Sequence, residues 1–188
     1  MTTIYFVRHA RPDFSVHDDA ARPLSEKGMK DCAYIRQFFS NVHVDAFYSS
    51  PYERALKTIK GTAKDKNMPI TLDAGFRERA VSEKWIDDFD SFARRQWAEF
   101  DFRLPGGESL TDTQTRNVLS LRRILHAHPD QTIVIGGHGT AISCVIQHFR
   151  PSFSYHDFKA LQEKMPFILK MTFEKDHLTG IHLSEVCT

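Results

Sequence analysis

Short apolar runs separated by amphipathic stretches occur along most of the chain. Residues 4–7, 44–48, 69–72 and 132–135 are rich in β-branched and aromatic side chains, a composition typical of buried strands. Between these runs, apolar positions recur at the spacing of a buried helix face. This alternation predicts an α/β fold, with a mostly parallel central sheet flanked by helices on both faces.

Serine residues mark the expected starts of several helices. Ser25 precedes apolar positions that are spaced for one buried face of a helix. Ser50 is expected to cap a second helix, with Glu53 completing a capping box. Ser109 is expected to cap a long helix that runs to about His128.

Two further regions complete the predicted architecture. Residues 140–148 predict a helix, and residues 167–173 and 180–183 predict a C-terminal β-hairpin. Residues 80–104 differ from the rest, because they carry six large aromatic side chains among charges of both signs, at spacings that fit helix faces. We therefore expect a small helical lid inserted into a single domain that spans residues 1–188.

The overall composition restricts the class of protein and its partners. The formal charge is +1, and no basic run provides a general attraction to nucleic acid or to an acidic membrane. No apolar stretch approaches the roughly 20 residues of a membrane span, and no secretion signal precedes the first strand. Cys32, Cys144 and Cys187 lack the spacing of metal ligands. These features predict a cytoplasmic protein without a metal or cofactor, in which Cys32 and Cys144 are buried, inert thiols.

A histidine follows each of two predicted strands. Arg8 and His9 come after the first strand, and His138 and Gly139 come after the strand at residues 132–135. Because the carboxyl ends of parallel strands meet at one edge of a sheet, neighbouring strands would bring both histidines into one cleft. The sequence therefore predicts a pocket for an anionic group, with a nucleophile beside it.

Arg54 supplies a second candidate anion ligand. It lies four residues after Ser50, in the first turn of the predicted second helix. The N-terminus of a helix favours negative charge, so a guanidinium group at this position is well placed to bind a phosphate.

The order of these motifs resembles the histidine phosphatase superfamily, in its phosphoglycerate-mutase-like branch. The pieces that carry the resemblance are, in chain order, Arg8-His9, Ser50-Pro51 with Arg54-Ala55, Phe76-Arg77-Glu78, and His138-Gly139. The resemblance covers most of the chain and implies that the family's proton donor corresponds to Glu78. Gly139 is counted with the residues that bind the substrate phosphate.

These residues together predict a metal-independent phosphatase. His9, as a neutral imidazole, would attack phosphorus and form a phosphohistidine that water later cleaves. Arg8 and Arg54 would hold the phosphate oxygens, and His138 would donate to an oxygen that gains charge. Glu78 would protonate the leaving alkoxide and then act as a base on water. The expected substrate is a small phosphorylated metabolite of unspecified identity, and the oligomeric state stays open.

The loop after His9 departs from the pattern of the family. Many members have a glycine and then an acidic or polar residue after the histidine, whereas this chain has Ala10 and Arg11. Ser15 stands where the family has an asparagine that contacts phosphate, and its hydroxyl group is a candidate replacement. Arg11 is either a second positive charge for the substrate or a surface ion-pair partner.

Four other functions are compatible with some of these features. A phosphoglycerate mutase uses the same pocket but returns the phosphoryl group to the substrate. A small protein phosphohistidine phosphatase lacks the acid-bearing insertion, and a non-catalytic phosphate-binding module would not need the complete set of residues. A metal site built from His9 and His138 is disfavoured, because the adjacent arginines would repel a cation.

The aromatic residues of the lid suggest a preference among substrates. The tryptophan-glycine pattern that follows the acid in the family is missing, and Trp85 lies nearby in the chain. We expect most of the lid aromatics to pack onto the sheet. As a hypothesis, Trp85 or a neighbour lines the pocket mouth and favours substrates with a ring-shaped body.

Overall fold

A computed structural model describes residues 1–84 and 86–185 of the chain, and within them a sheet of six strands forms the centre. The strands follow the spatial order β3-β2-β4-β1-β5-β6. Neighbours from β3 to β1 pair in parallel, whereas β5 and β6 are antiparallel additions. This arrangement confirms the predicted mostly parallel sheet. The strand bounds are β1 Thr2–Arg8, β2 Ala46–Ser49, β3 Ile70–Leu72, β4 Thr132–Gly137, β5 Phe167–Glu174 and β6 His177–Glu185.

Helices cover both faces of the sheet, as the alternation of elements predicts. Along β1, Ile4 and Phe6 face a core shared with α4 and α5, whereas Tyr5 and Val7 face a core shared with α1 and α2. Successive side chains of a strand point to opposite faces, so the apolar run in β1 supplies both cores. The helix bounds are α1 Glu26–Phe39, α2 Glu53–Asp65, α3 Phe89–Ala98, α4 Leu110–Ala127, α5 Gly139–Phe149 and α6 Tyr155–Gln162.

Two of the three predicted serine caps are confirmed. The Ser25 side chain accepts a hydrogen bond from the Gly28 amide at the start of α1. Ser109 forms a reciprocal capping box with Asp112, and α4 ends one residue before His128. Each cap satisfies backbone N–H groups that have no partner inside the helix, which fixes where the helix begins.

The predicted cap at Ser50 is wrong. Helix α2 begins at Glu53, and its N-cap is Tyr52, for which the described residues show no side-chain cap. The Ser50 hydroxyl is instead 2.8 Å from Nε2 of His138 and accepts a hydrogen bond from the Tyr52 amide. The hydroxyl is therefore engaged at the end of a neighbouring strand and is not available to the first turn of α2.

The lid segment is less helical than its aromatic spacing suggests. Helix α3 begins only at Phe89, where the Asp88 side chain accepts a hydrogen bond from the Ser91 amide and caps the helix. The described residues before it adopt irregular structure, and Trp85 lies outside the described residues. Trp97 of α3 stacks on Phe158 with ring centroids 5.3 Å apart. The lid thus packs against α6, a helix that the sequence pattern did not reveal.

The C-terminal hairpin is confirmed with a tighter turn than expected. Strand β5 ends at Glu174 and β6 begins at His177, so only two residues connect them. Lys175 adopts a positive φ of 55°, a conformation that suits tight hairpin turns. Within the described residues, no helix combines the length and the apolar composition that crossing a membrane requires.

The described cysteines are protected thiols. Cys144 is fully buried in α5, and burial raises its pKa to about 12. Cys32 is only partly buried in α1, and burial raises its pKa to about 11. Both therefore stay protonated at neutral pH, where the thiolate is the reactive form. Cys187 lies outside the described residues.

Candidate active site

The ends of β1 and β4 bring the two predicted histidines together. Arg8 pairs in register with Gly137, so His9 and His138 each follow a neighbouring parallel strand. The His9 amide donates to the Gly137 carbonyl at 3.0 Å, and the two imidazole rings have centroids 5.3 Å apart. Sheet register, a property of the backbone, therefore sets the relative position of the rings.

The surroundings of His9 leave one ring nitrogen available as a nucleophile. Its Nδ1 is 2.8 Å from the carbonyl oxygen of Ala10. Because a carbonyl can only accept, Nδ1 carries the hydrogen and the lone pair lies on Nε2. Burial, and then the positive charges of Arg54 and Arg8, lower the pKa of His9 well below its usual value. The imidazole is therefore neutral at and below neutral pH.

Helix α2 fixes the loop that carries His9. The Ala10 amide donates to Oγ1 of Thr58 at 2.9 Å, and the Thr58 hydroxyl donates to the Arg54 carbonyl at 2.7 Å. Thr58 thus connects the nucleophile loop to the helix of the phosphate-binding arginine. A single threonine on a helix gives no sequence signal for this contact.

The ring of His138 packs against the rings of His9 and Tyr52. Its side chain is fully buried, with centroid distances of 5.3 Å to His9 and 5.2 Å to Tyr52. Burial, and then Arg54, hold the pKa of His138 well below its usual value. A Ser50 hydroxyl that donates to Nε2 leaves the proton on Nδ1, which has no hydrogen-bond partner among the described residues. In this tautomer the Nδ1–H of His138 is a buried donor without a partner in the described part of the chain.

Arg8 is held by the end of α6. Its Nη1 donates to the carbonyl oxygens of Leu161, Gln162 and Lys164 at 2.8, 2.9 and 2.6 Å. The C-terminal end of a helix carries partial negative charge, which favours a cation there. Burial lowers the pKa of Arg8 to about 10, so the group stays charged at neutral pH. Its Nε has no partner in the described part of the chain.

Gly139 gives the Arg8 guanidinium room. A Cβ atom at this position would lie 3.1 Å from both Cζ and Nε of Arg8. This separation is shorter than ordinary van der Waals contact, so any larger residue would push against the charged group. Gly139, which follows His138, therefore leaves the space that the guanidinium group of Arg8 occupies.

Arg54 is engaged by the loop that follows β1. It donates through Nη1 to the backbone oxygen of Asp19 and through Nη2 to Oδ1 of the same residue at 3.1 Å. Arg22 also pairs with this carboxylate at 3.2 Å. Burial lowers the pKa of Arg54. A substrate phosphate must compete with the Asp19 carboxylate for this guanidinium.

Glu78 lies at the N-terminus of α5. Its carboxylate accepts hydrogen bonds from the amides of Thr140 and Ala141 at 3.0 Å each, and from the Arg79 amide at 2.9 Å. Backbone N–H groups at a helix N-terminus attract negative charge, so they orient the carboxylate. The same helix begins directly after His138, so the start of α5 connects the acid to the second histidine.

An arginine of α4 anchors the backbone that carries Glu78. Nη1 of Arg116 donates to the carbonyl oxygens of Gly75 and Arg77, and Nη2 donates to that of Glu78 at 3.1 Å. The same guanidinium forms a two-pronged pair with Glu108, with both distances at 2.9 Å. Sequence reasoning missed this pair, because its members stand eight positions apart, outside the i, i+3 and i, i+4 spacings that predict contacts along a helix.

A cavity of about 720 Å³ joins these groups. Arg8, His9, Arg54, Glu78 and Gly139 line it, so most of the predicted site residues converge. His138 is not among the lining residues, and its ring lies next to that of His9. Among residues 1–84 and 86–185, no three His, Cys, Asp or Glu side chains are grouped closely enough to hold a metal ion.

The structure does not bring Ser15 to this cavity. Its side chain is exposed, and its hydroxyl donates to Oδ1 of Asp13 at 2.6 Å. The Ser15 amide donates to the same oxygen at 3.0 Å, which makes a local turn. Ser15 is not among the residues that line the cavity, so its phosphate contact stays a prediction without support from the cavity lining. Arg11 is also exposed and lies outside the described cavity lining.

Comparison with known proteins identifies relatives with this fold. A model of the histidine phosphatase superfamily (branch 1) matches residues 4–183. The chain is 24% identical over 158 residues to a probable phosphoglycerate mutase, GpmB, of Salmonella choleraesuis, covering 78% of this chain and 74% of that protein. Among solved structures, Bacillus stearothermophilus YhfR superposes with a TM-score of 0.79 at 21% identity, covering 100% and 98% of the two chains. A mutant phosphoserine phosphatase from Entamoeba histolytica, solved with phosphoserine, has a TM-score of 0.77 at 20% identity, covering 96% of each chain.

Proposed function

The chain belongs to branch 1 of the histidine phosphatase superfamily, and we propose that it hydrolyses small phosphomonoesters through a phosphohistidine on His9. Family and structural neighbours indicate a phosphatase or a mutase activity. One observation carries the proposal: a buried, neutral imidazole lines a cavity together with two arginines, with Nδ1 held by a carbonyl and Nε2 left to react.

The first step transfers the phosphoryl group to the enzyme. Nε2 of His9 attacks phosphorus, and the bond between phosphorus and the ester oxygen breaks on the opposite side. Arg8 and Arg54 balance the negative charge of the equatorial oxygens, and His138, next to His9, adds a hydrogen-bond donor. The leaving alkoxide is a strong base, so it takes a proton from Glu78, which enters this step as the protonated acid while its oxygens accept the three backbone hydrogen bonds.

The second step releases phosphate. Water attacks the phosphorus of the phosphohistidine, the bond between phosphorus and nitrogen breaks, and Nε2 recovers its lone pair. Glu78, now a carboxylate, accepts the proton of this water and returns to its starting state. The reaction needs no other co-reactant.

The binding of substrate phosphate includes an exchange of partners at Arg54. Asp19 occupies Nη1 and Nη2 of this guanidinium. A phosphate dianion offers more charge and more acceptor oxygens than one carboxylate, so it displaces Asp19. The loop that carries Asp19 then opens or shifts when substrate binds.

The size of the cavity favours hydrolysis over mutase activity. A mutase must keep water away from phosphohistidine while the substrate turns over. A volume of about 720 Å³ exceeds that of a small phosphorylated acid and leaves room for several waters, each occupying about 30 Å³. The alternative, a phosphoglycerate mutase, is supported by the name of the Salmonella relative.

One assay distinguishes these functions. The enzyme is incubated with 3-phosphoglycerate and with a panel of alkyl phosphates, and both inorganic phosphate and 2-phosphoglycerate are measured. We expect phosphate to be released without isomerisation. Isomerisation without phosphate release would establish the mutase instead, and neither product from any ester would support a non-catalytic phosphate-binding module.

A further inference from the structure

The guanidinium of Arg8 is oriented by a helix, although its backbone belongs to the sheet. Arg8 is the last residue of β1, and its Nη1 donates to three carbonyl oxygens at the end of α6, those of Leu161, Gln162 and Lys164. Because a guanidinium is planar, fixing one of its amino groups also fixes the directions of its other nitrogens. The orientation of Arg8 therefore depends on the position of α6.

Helix α3 of the lid packs on α6 through aromatic rings. Trp97 of α3 stacks on Phe158 of α6, with ring centroids 5.3 Å apart and an angle of 27° between the planes. Phe158 and Leu161 are the buried residues of α6, and their spacing places them on one face of the helix. The contact with the lid thus lies one turn before the carbonyl groups that bind Arg8.

Polar contacts join the same two helices at a more exposed position. The Asp90 carboxylate of α3 accepts a hydrogen bond from the Tyr155 hydroxyl at 2.9 Å and another from Nζ of Lys159. The side chains of Asp90 and Lys159 are 46% and 45% exposed. Solvent screens an ion pair at this exposure, so we expect it to hold α6 less firmly than the aromatic stack does.

Two routes connect Trp97 to the candidate active site. Trp97 lies outside the described cavity lining, so it can affect catalysis only through other residues. One route passes through α6 to Arg8. The other passes through the neighbouring Gln96, which accepts a hydrogen bond from Arg79, to the segment that carries Glu78. The routes predict different results, because Arg8 would bind the phosphate that all substrates share, whereas Glu78 would serve the leaving group.

We propose that Trp97 and, to a smaller extent, Asp90 are positioning residues for Arg8, because they hold α6 where its terminal carbonyl groups orient the guanidinium toward the substrate phosphate. The inference rests on the proposed function, since it takes Arg8 as a phosphate ligand. Coupling between two sites is reciprocal. If the contact between α3 and α6 favours phosphate binding, bound phosphate stabilises that contact to the same degree.

Replacement of the stacked ring tests the aromatic contact. Trp97→Leu should lower kcat/KM about fivefold to tenfold, by the same factor on an alkyl and on an aryl phosphate. Trp97→Phe keeps a ring against Phe158 and should stay within about twofold of the parent. A loss on the alkyl phosphate alone would assign Trp97 to the route through Gln96 and would overturn the proposal. An unchanged kcat/KM in Trp97→Leu would overturn it as well.

A double-mutant cycle shows whether the loss passes through Arg8. In an Arg8→Met background, Trp97→Leu should change kcat/KM for 4-nitrophenyl phosphate by less than about twofold, because no guanidinium is left to orient. The reactive aryl ester keeps the residual activity of this background measurable. A loss of the same size in both backgrounds would show that Trp97 supports the fold in general, and would contradict a role through Arg8.

A milder substitution keeps the test decisive if Trp97→Leu does not fold. Asp90→Asn removes the charge that binds Lys159 and should lower kcat/KM about twofold to threefold on both substrates. Asp101→Asn changes an exposed carboxylate of the lid outside α3, so it is the matched control and should have no effect. The loss in Asp90→Asn should disappear in the Arg8→Met background, and its persistence there would overturn the proposal.

The fluorescence of Trp97 tests the linkage without catalysis. Trp85→Phe leaves Trp97 as the only tryptophan of the chain. Saturating orthophosphate should decrease the quenching of Trp97 by acrylamide, because bound phosphate stabilises the contact between α3 and α6. The decrease should be absent in Arg8→Met and present in Arg54→Met, a variant that weakens phosphate binding by another route.

Two results of the fluorescence experiment would overturn the proposal. One is quenching that orthophosphate does not change although it inhibits the enzyme competitively, and the other is an equal decrease in Arg8→Met. Failure of the proposed function has a different signature, because the parent enzyme would then release phosphate from no ester. The quenching experiment needs no turnover, so it decides the linkage in either case.

Discussion

The two ends of the cavity are built by different means. At the phosphate end, His9 and His138 follow paired parallel strands, and backbone register sets their positions. At the leaving-group end, Glu78 and Arg79 lie on an irregular segment after β3. Side-chain contacts from Arg116 and Gln96 hold this segment. The two histidines thus depend on the sheet for their positions, whereas the backbone of the segment that carries Glu78 depends on a few side chains.

Because of this difference, we expect one end of the cavity to determine catalysis and the other end to determine substrate selectivity. The phosphate end supplies the nucleophile and the groups that bind the phosphate, and the hydrolysis of any phosphomonoester needs both. The leaving-group end contacts the alcohol part, which differs between substrates. Changes at the first end should therefore affect all substrates equally, and changes at the second should affect them unequally.

The largest expected effect comes from His9→Ala. Turnover should fall by more than about a thousandfold on every ester, because the arginines still bind phosphate but no covalent intermediate can form. The loop position of His9 contributes little to the core, so the variant should remain folded by circular dichroism. Steady-state assays on one alkyl and one aryl phosphate measure the loss. Activity near that of the parent would remove His9 from the mechanism.

Glu78→Gln should discriminate between leaving groups. We expect about a hundredfold loss of kcat/KM on alkyl phosphates, because the amide cannot supply the proton that an alkoxide needs in the first step. Aryl phosphates leave as weak bases, so their kcat/KM, which does not include the later attack of water, should fall by less than about fivefold. The aryl substrate is the internal control for folding and phosphate binding. Equal slowing of both substrates would assign Glu78 to another role.

Arg116→Met should produce a smaller loss with the same selectivity. The substitution frees the backbone carbonyls of Gly75, Arg77 and Glu78 and removes one of the two arginine partners of Glu108, so the carboxyl group of Glu78 is less well placed. We expect kcat/KM on alkyl phosphates to fall about tenfold, with little change in kcat/KM on aryl phosphates. Arg122→Met, an exposed change on the same helix, is the control. A uniform loss on both substrates would show that the anchoring serves the whole fold.

The buried histidines should make stability depend on pH. Their pKa values are lowered in the folded state, so below pH about 6.5 the unfolded chain binds protons that the folded chain does not. Stability is then full above this pH and falls as the pH decreases, by about 1.4 kcal/mol per pH unit for each histidine. Urea unfolding between pH 6.5 and 5 measures the slope. His9→Ala should reduce the slope of stability against pH by about 1.4 kcal/mol per pH unit, the contribution of one histidine. The substitution His156→Ala, at an exposed position, should leave the slope unchanged.

The sequence predicted the phosphate end better than the leaving-group end. Strand composition and order were sufficient for His9 and His138, because parallel strands must present their carboxyl ends at one edge. Glu78 came from the resemblance to a family, since its neighbours form an ordinary run of charges. Ser50 was misassigned as a helix cap because its hydroxyl contacts His138 instead. The hydroxyl of Ser15 contacts Asp13, a pairing that the motif order did not predict.

The contacts that complete the site depend on tertiary structure. Helix α6 is short, and only Phe158 and Leu161 in it are buried, so its sequence gives little periodic signal. Yet the carbonyl groups at its end hold Arg8. Arg79 belongs to a run of charged residues in the sequence, and such runs are usually exposed to solvent. Only the burial of its side chain distinguishes Arg79 from Arg77.

Detection of the covalent intermediate tests the central claim most directly. The enzyme is mixed with a ³²P-labelled alkyl phosphate, quenched in alkali within one turnover, and digested for mass spectrometry. We predict an acid-labile, alkali-stable phosphoryl group on the imidazole of His9, formed at the rate of turnover and absent from His9→Ala. Release of phosphate without any phosphohistidine, or a label on a different residue, would contradict the account.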